Sequence, residues 1–287
     1  MLLIILTLAR ADIPARAGRL GPMNPRGGLP DQRNRCYDSV MHEFVARRLD
    51  DLATNGFVVI EGALTPDEYS AYAARLRTFY ESGYAHGSND VGTVWFDDVL
   101  DLDRNLFGSL IAHPSVRREL EGLCGRQLQL RSLRGHYYPG AYRQHWHMDF
   151  YGYWDQTAEG RVAGRGTAIN TTFYFQDGDP ETSHLEFVTG GHLRPPIGVA
   201  RGKVVATEDN EFTRWCEEQP HMLVYPKAGD CVLFFSHIPH RGVKTDATSE
   251  RSNVVCHYQA NPFYPGVWFL SDTLGDAGIY PLAEGAV

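Results

Sequence analysis

From Tyr37 onward, apolar side chains recur at helical spacing through Val40, Phe44, Val45, Leu49 and Leu52, which predicts an amphipathic helix broken at Asn55-Gly56. Phe57 to Ile60 then forms an apolar run short enough for a buried strand. Thr65-Pro66-Asp67-Glu68 combines a threonine N-cap, proline at the first helical position and glutamate three residues past the cap, so a second helix is predicted from there to about Ser82. A third is predicted from Ser115, after Pro114, to Leu123, ended by Gly125. Beyond it the hydrophobic period shortens. Leu128 to Tyr138, Gln144 to Asp149, Gly166 to Phe175, His184 to Val188, His221 to Tyr225, Cys231 to Phe235 and Ser252 to Gln259 read as strands separated by Gly, Pro and Asp turns. A helical layer followed by about seven strands predicts a mainly β fold, a β-sandwich or jelly roll with the N-terminal helices packed on the outside.

The N-terminus departs from this pattern. Leu2 to Ala9 is apolar, but no basic residue precedes it and it falls well short of the ~18 residues of a membrane span. An Arg-, Pro- and Gly-rich stretch continues to Arg35, so residues 1–35 are expected to be disordered or to reflect a start site set too early, with Met23 or Met41 as the real start. Residues 36–287 are then expected to form a single domain. A net charge of −8 provides no basic footprint, which disfavours nucleic acid and anionic membrane surfaces and leaves small molecules as the expected partners. The five cysteines are odd in number and contain no CxxC pair, which indicates neither a disulfide framework nor a zinc ribbon and fits a reducing, cytoplasmic setting.

Chemistry concentrates in His147-Met148-Asp149. On a strand, the period of two would point His147 and Asp149 to one face, offering a nitrogen and an oxygen ligand together. His145 is a rival on the same face, and a His145/His147 pair would favour zinc or a cupin-type metal. Downstream, in Phe234 to Gly242, either His237 or His240 could supply a distal ligand. Two histidines and one carboxylate, leaving an open coordination face, suit non-haem Fe(II) chemistry. Arg251 lies eleven residues after His240 and opens an alternating stretch that puts Arg251, Asn253, Val255 and His257 on one face. An arginine facing a barrel interior needs an anion, and a dicarboxylate would satisfy it with a charge-assisted pair; an ordinary ion pair at the surface is the plainer alternative.

Several pieces, in order and spacing, resemble the phytanoyl-CoA dioxygenase family of Fe(II)/2-oxoglutarate oxygenases over about Tyr37 to Tyr264. They are Asn55 to Ile60 with Thr65 to Glu68, Pro139-Gly140, Trp146 to Asp149, Leu185 to His192, Gly229-Asp230, and His240 with Arg251. The resemblance implies a double-stranded β-helix of the jelly-roll, cupin-like type. It implies that His147, Asp149 and His240 bind Fe(II), that Arg251 clasps the distal carboxylate of 2-oxoglutarate, and that Asn170 and Arg134 match positions of further cosubstrate contacts. Gly242 stands where many members place a serine that assists the arginine, and Thr189 and Gly191 replace the Pro and Ser of a family signature. The activity so implied consumes 2-oxoglutarate and O2, yields succinate and CO2, takes ascorbate as an in-vitro reductant, and oxidises, chiefly by hydroxylation, an aliphatic C–H bond of a small metabolite or natural-product intermediate. A halogenase of the family would lack the carboxylate that Asp149 supplies, to make room for chloride. Two competing readings remain. One is a cupin-type isomerase or hydrolase that uses His145, His147 and His240 without 2-oxoglutarate, and the other is a non-catalytic jelly-roll binding module. Trp95 and the cluster Phe150, Tyr151, Tyr153 and Trp154 are candidates for a pocket wall or for loop packing.

Overall fold

The computed structural model describes residues 32–85, 87–88, 92–97, 99–111, 113–124, 127–149, 167–193, 210–260 and 279–281. Met1–Val40 and Met41–Val287 are separate units. Of the first, residues 32–40 are described and are helical, and they belong to α1 (Gln32–Asn55), which therefore begins ahead of the predicted Tyr37. The expectation of disorder over residues 1–31 falls outside the described residues.

Helix α2 (Pro66–Glu81) begins as its capping box dictates: Glu68 donates its backbone N–H to Thr65 Oγ1, and the Glu68 carboxylate accepts from the Thr65 backbone N–H. Tyr72, Leu76 and Phe79, spaced to fall on one face, are its buried residues. The third predicted helix is also present, as Pro114–Cys124. Between these two lie the short helices α3 (Val99–Leu102) and α4 (Arg104–Phe107), so Pro114–Cys124 is α5. Helix α6 (Glu211–Glu217) is capped by Asn210. None of the helices among the described residues is long and apolar enough to cross a membrane.

The strands are β1 (Phe57–Ile60), β2 (Gly87–Ser88), β3 (Val94–Phe96), β4 (Gln127–Tyr138), β5 (Tyr142–Arg143), β6 (Thr167–Tyr174), β7 (Ser183–Val188), β8 (His221–Val224), β9 (Cys231–Phe235), β10 (His240–Lys244), β11 (Arg251–Ala260) and β12 (Ile279–Pro281). They form an eight-stranded sheet in the order β1-β9-β6-β11-β4-β3-β2, with β12 also pairing β4, and a four-stranded sheet in the order β5-β10-β7-β8. All pairings are antiparallel. The fold is a jelly roll.

Alternation along the strands sorts their side chains into two layers. On the large sheet, Leu133, Ile169, Phe173, Leu233, Val254 and Cys256 join Leu52, Tyr72 and Leu76 of the helices in one apolar core. The intervening residues face the other way, where Tyr174, Val232 and Phe234 meet Leu185 and Phe187 of the small sheet. One glycine is required by this packing. Gly56 takes φ +84°, and a Cβ there would lie 2.5 Å from His192 Nδ1, so both its backbone and its space exclude a side chain. Among the described cysteines, Cys216, Cys231 and Cys256 are free and buried.

Candidate metal centre

The inward positions of strands from both sheets converge on a cavity of about 300 Å³. Strand β4 contributes Arg134, His136 and Tyr138, β6 contributes Thr172 and Tyr174, β10 contributes His240 and Gly242, and β11 contributes Asn253, Val255 and His257. Trp95 of β3 also lines it, while Phe150, Tyr151, Tyr153 and Trp154 lie outside the described residues.

His147, Asp149 and His240 come together at this cavity, each offering one ligand atom, all within 4.8 Å of one another. The expected strand Gln144–Asp149 is not regular: β5 ends at Arg143, and the rest is tied to β10 by single contacts. His147 and His240 exchange backbone hydrogen bonds of 3.0 and 2.9 Å as an isolated bridge, and Asp149 N donates to the Ser236 carbonyl at 2.9 Å. The chain thus leaves the sheet after Arg143 and is held by Ser236 and His240, so tertiary pairing rather than strand period aligns the two ligand candidates.

Each imidazole is preset for ligation. His147 Nδ1 donates to the His145 carbonyl at 2.9 Å and His240 Nδ1 to the Ile238 carbonyl at 2.8 Å, leaving Nε2 of both as the acceptor nitrogen. The Nε2 atoms lie 3.7 Å and 3.5 Å from the Asp149 carboxylate oxygens. Donors about 2 Å from one first-row ion sit closer together than this, so the three atoms would draw in on binding. Burial, reinforced by the neighbouring His240, holds the His147 pKa down at about 4, so the ring is neutral at physiological pH. Burial alone would raise Asp149, but the facing imidazoles of His240 and His257 hold its carboxyl well below the ordinary range. His145 is not part of the cluster, and its carbonyl serves to orient His147. His237 is not part of it either: its Nε2 donates to the His192 carbonyl at 3.2 Å.

Asn170 lies beneath Asp149 rather than on the cavity wall. Its side-chain amide donates to Asp149 Oδ2 at 2.5 Å while its carbonyl oxygen accepts from Ser236 Oγ at 2.5 Å. His257 Nε2 stands 3.5 Å from the same Oδ2. Ser132 Oγ, 2.6 Å from His257 Nδ1, can donate there and so leave the His257 proton on Nε2, facing Asp149. Asn170 and His257 thus grip one carboxylate oxygen and fix the other. Arg134 lines the cavity and is ion-paired with Asp97.

Four residues along β6 from Asn170, about 13 Å at strand rise, Tyr174 carries the guanidinium of Arg251 on its ring, 4.8 Å from the centroid. Arg251 is buried, its Nε has no hydrogen-bond partner, and no carboxylate among the described residues pairs with it. Its Nη1 donates to Tyr142 Oη at 3.3 Å. A buried cation with no counter-charge among the described residues, set along the same sheet surface as a cluster of metal-ligating atoms, is the observation by which the site fits 2-oxoglutarate and a ferrous ion. Of the residues around Arg251, sequence reading missed Tyr138, Tyr142 and Tyr174. The inward alternation on β4 and β6 was the available signal for Tyr138 and Tyr174, but Tyr142 precedes an irregular segment whose direction no period predicts.

The buried His237 and the half-buried His136, neither of them in the ligand cluster, make stability depend on pH. Burial and the charge of Arg134 lower His136 to about 3, and burial lowers His237 to about 4, from an ordinary value of 6.5. The unfolded chain therefore takes up protons below pH 6.5 that the folded chain refuses until pH 3 to 4. Stability is full above that window and falls as pH drops through it, by about 1.4 kcal/mol per pH unit for each histidine. Urea unfolding of metal-free protein at pH 7 and pH 5 measures this, and equal midpoints at the two pH values would contradict it.

Residues 52–251 match the family model described as phytanoyl-CoA dioxygenase (PhyH). No curated protein matches the chain at a significant level. Among solved structures, the epimerase SnoN in complex with Fe3+, alpha ketoglutarate and nogalamycin RO is similar at 22% identity with a TM-score of 0.63, over 85% of this chain and 95% of that one. The carbocyclase SnoK from nogalamycin biosynthesis is similar at 17% identity and a TM-score of 0.58, over 75% of this chain and 83% of that one. HygX from Streptomyces hygroscopicus with nickel, 2-oxoglutarate and hygromycin B bound is similar at 15% identity and a TM-score of 0.59, over 77% of this chain and 89% of that one.

Proposed function

The chain belongs to the phytanoyl-CoA dioxygenase family, and from that premise we propose that it is an Fe(II)/2-oxoglutarate-dependent oxygenase acting on an aliphatic C–H bond of a small metabolite or natural-product intermediate. The observation that carries this reading is the pairing of the His147-Asp149-His240 cluster with a buried Arg251 that has no acidic partner among the described residues, farther along the same sheet surface. Together, bound Fe(II), 2-oxoglutarate and O2 would supply the oxidising power, with succinate and CO2 as co-products. His147 and His240 would bind the ion through Nε2 and Asp149 through one carboxylate oxygen, while Asn170 and His257 keep the other oxygen from turning. Arg251 would hold the far carboxylate of the cosubstrate, and Arg134, on the β4 side of the cavity, would face the substrate or cosubstrate.

Hydroxylation is the outcome we favour, because Asp149 keeps the carboxylate position filled. SnoN and SnoK, named as an epimerase and a carbocyclase, show that proteins of this fold direct the same kind of site to other ends. The cupin-type alternative is weakened by the placement of His145 outside the cluster. Incubation of the purified protein with Fe(II), ascorbate, O2 and 2-oxoglutarate across a panel of small-metabolite substrates is expected to form succinate, read by mass spectrometry. Absence of succinate with every substrate, together with no binding of 2-oxoglutarate to metal-loaded protein, would overturn the reading.

A further inference from the structure

Arg251 does not itself line the cavity. Its neighbours Tyr138, Tyr142 and Tyr174 all do. Tyr138 and Tyr142 are stacked with centroids 4.0 Å apart and planes 16° from parallel, so the Tyr142 ring is braced in one orientation. Its hydroxyl oxygen accepts from Arg251 Nη1 at 3.3 Å. Arginine can only donate, so that contact uses an acceptor site on Tyr142 and leaves its O–H proton free to be given away. Burial raises the Tyr142 hydroxyl, so it keeps that proton at neutral pH.

The opposite strand is shaped to this arrangement. A Cβ at Gly242 would lie 2.8 Å from Gln144 Oε1 and 3.1 Å from Tyr142 Oη. Gln144 Oε1 in turn accepts from the Gly242 backbone N–H at 2.8 Å. The absence of a side chain on β10 thus admits both residues of the β5 segment, and any larger residue at 242 would press Tyr142 off Arg251. The hydroxyl, the guanidinium and the bare glycine form one unit that presents hydrogen-bond donors to the cavity and no negative charge.

We propose that Tyr142 is a binding residue for the distal carboxylate of the keto-acid: its hydroxyl donates a hydrogen bond to that carboxylate beside the Arg251 guanidinium that holds it. The assignment rests on the proposed 2-oxoglutarate dependence. It makes Tyr142, rather than any residue of β10, the neutral partner of Arg251.

Isothermal titration of Mn(II)-loaded protein under nitrogen tests this with two probes, 2-oxoglutarate and 2-oxobutyrate, the latter lacking the distal carboxylate. Tyr142→Phe is expected to weaken 2-oxoglutarate by roughly 10- to 100-fold, the loss of one hydrogen bond to a charged group, and to leave 2-oxobutyrate and Mn(II) affinity unchanged. The thermal midpoint should stay near that of the wild type, since the ring and its stacking remain. Unchanged or tighter 2-oxoglutarate binding would show that the hydroxyl merely covers Arg251, and equal weakening of both probes would show a general loosening; either result overturns the assignment. A wild-type protein that binds 2-oxoglutarate no better than 2-oxobutyrate overturns the keto-acid reading and this one with it, whereas the Tyr142→Phe outcomes overturn this one alone.

Discussion

Asp149→Ala and His240→Ala proteins are expected to form no succinate from 2-oxoglutarate and to lose metal affinity by more than the about 10- to 100-fold that a supporting residue contributes. The gradation across the site is the informative part. Each of the two residues offers an atom to the ion directly, with His240 Nε2 3.5 Å from the carboxylate of Asp149. Asn170 acts one step further out, through its hydrogen bond to Asp149 Oδ2, so Asn170→Ala should weaken Mn(II) or Fe(II) by about 10- to 100-fold and recover turnover at saturating metal. His145→Ala should change neither, because only its backbone carbonyl contacts His147, and alanine keeps that carbonyl. Metal titration by calorimetry, with succinate measured at saturating Fe(II), reads all four variants. Succinate formation retained in Asp149→Ala would reject the ligand set. A loss in His145→Ala as large as in His240→Ala would instead favour a three-histidine site of cupin type.

Much of this arrangement is legible in the amino-acid sequence. The capping box at Thr65, the stop at Asn55-Gly56 and the bounds of β1 and β9 follow from local chemistry, and the structure reproduces them. Period-two alternation likewise placed Arg251, Asn253, Val255 and His257 on one face, and the last three line the cavity. The failures share a cause. The segment from Gln144 to Asp149 was read as a strand because its composition suits one, yet its geometry comes from hydrogen bonds to Ser236, His240 and Gly242, about a hundred residues away. Strand β10 was missed for the complementary reason: His240 to Lys244 is too polar to look buried, and it is buried only because Arg241 and Lys244 find partners in space. Asn170, expected as a cosubstrate contact, is bonded to Asp149 and Ser236, partners that no strand period announces, since a sequence shows which face a strand residue takes but not which side chain reaches it first.

Arg241→Ala is expected to destabilise the fold by about 3–5 kcal/mol, the largest single loss of stability foreseen outside the apolar core. Arg241 and Glu186 face each other across β10 and β7, and both are buried. Arg241 donates Nε to Glu186 Oε2 at 2.7 Å and Nη1 to Glu217 Oε1 at 2.6 Å, with its guanidinium 4.3 Å above the ring of the fully buried Trp146. Removing the cation leaves Glu186, among the described residues, with His184 3.1 Å away as its remaining partner, and strips the cover from Trp146. The same network stands next to the candidate ligands in sequence, Trp146 before His147 and Arg241 after His240, so it clamps the two ligand-bearing segments from the side away from the cavity. The cost of the single variant is mostly that of a stranded carboxylate, which gives the test its second arm. Arg241→Met combined with Glu186→Leu removes both charges and should recover most of the lost stability, as buried ion pairs exchanged for well-packed apolar groups commonly do. Urea unfolding of metal-free protein, with the midpoint and slope both measured, separates the cases. If the single variant loses under 1 kcal/mol, solvent reaches the pair and the clamp is not a buried one; if the double variant is as unstable as the single, the loss lies in Trp146 and shape rather than in charge.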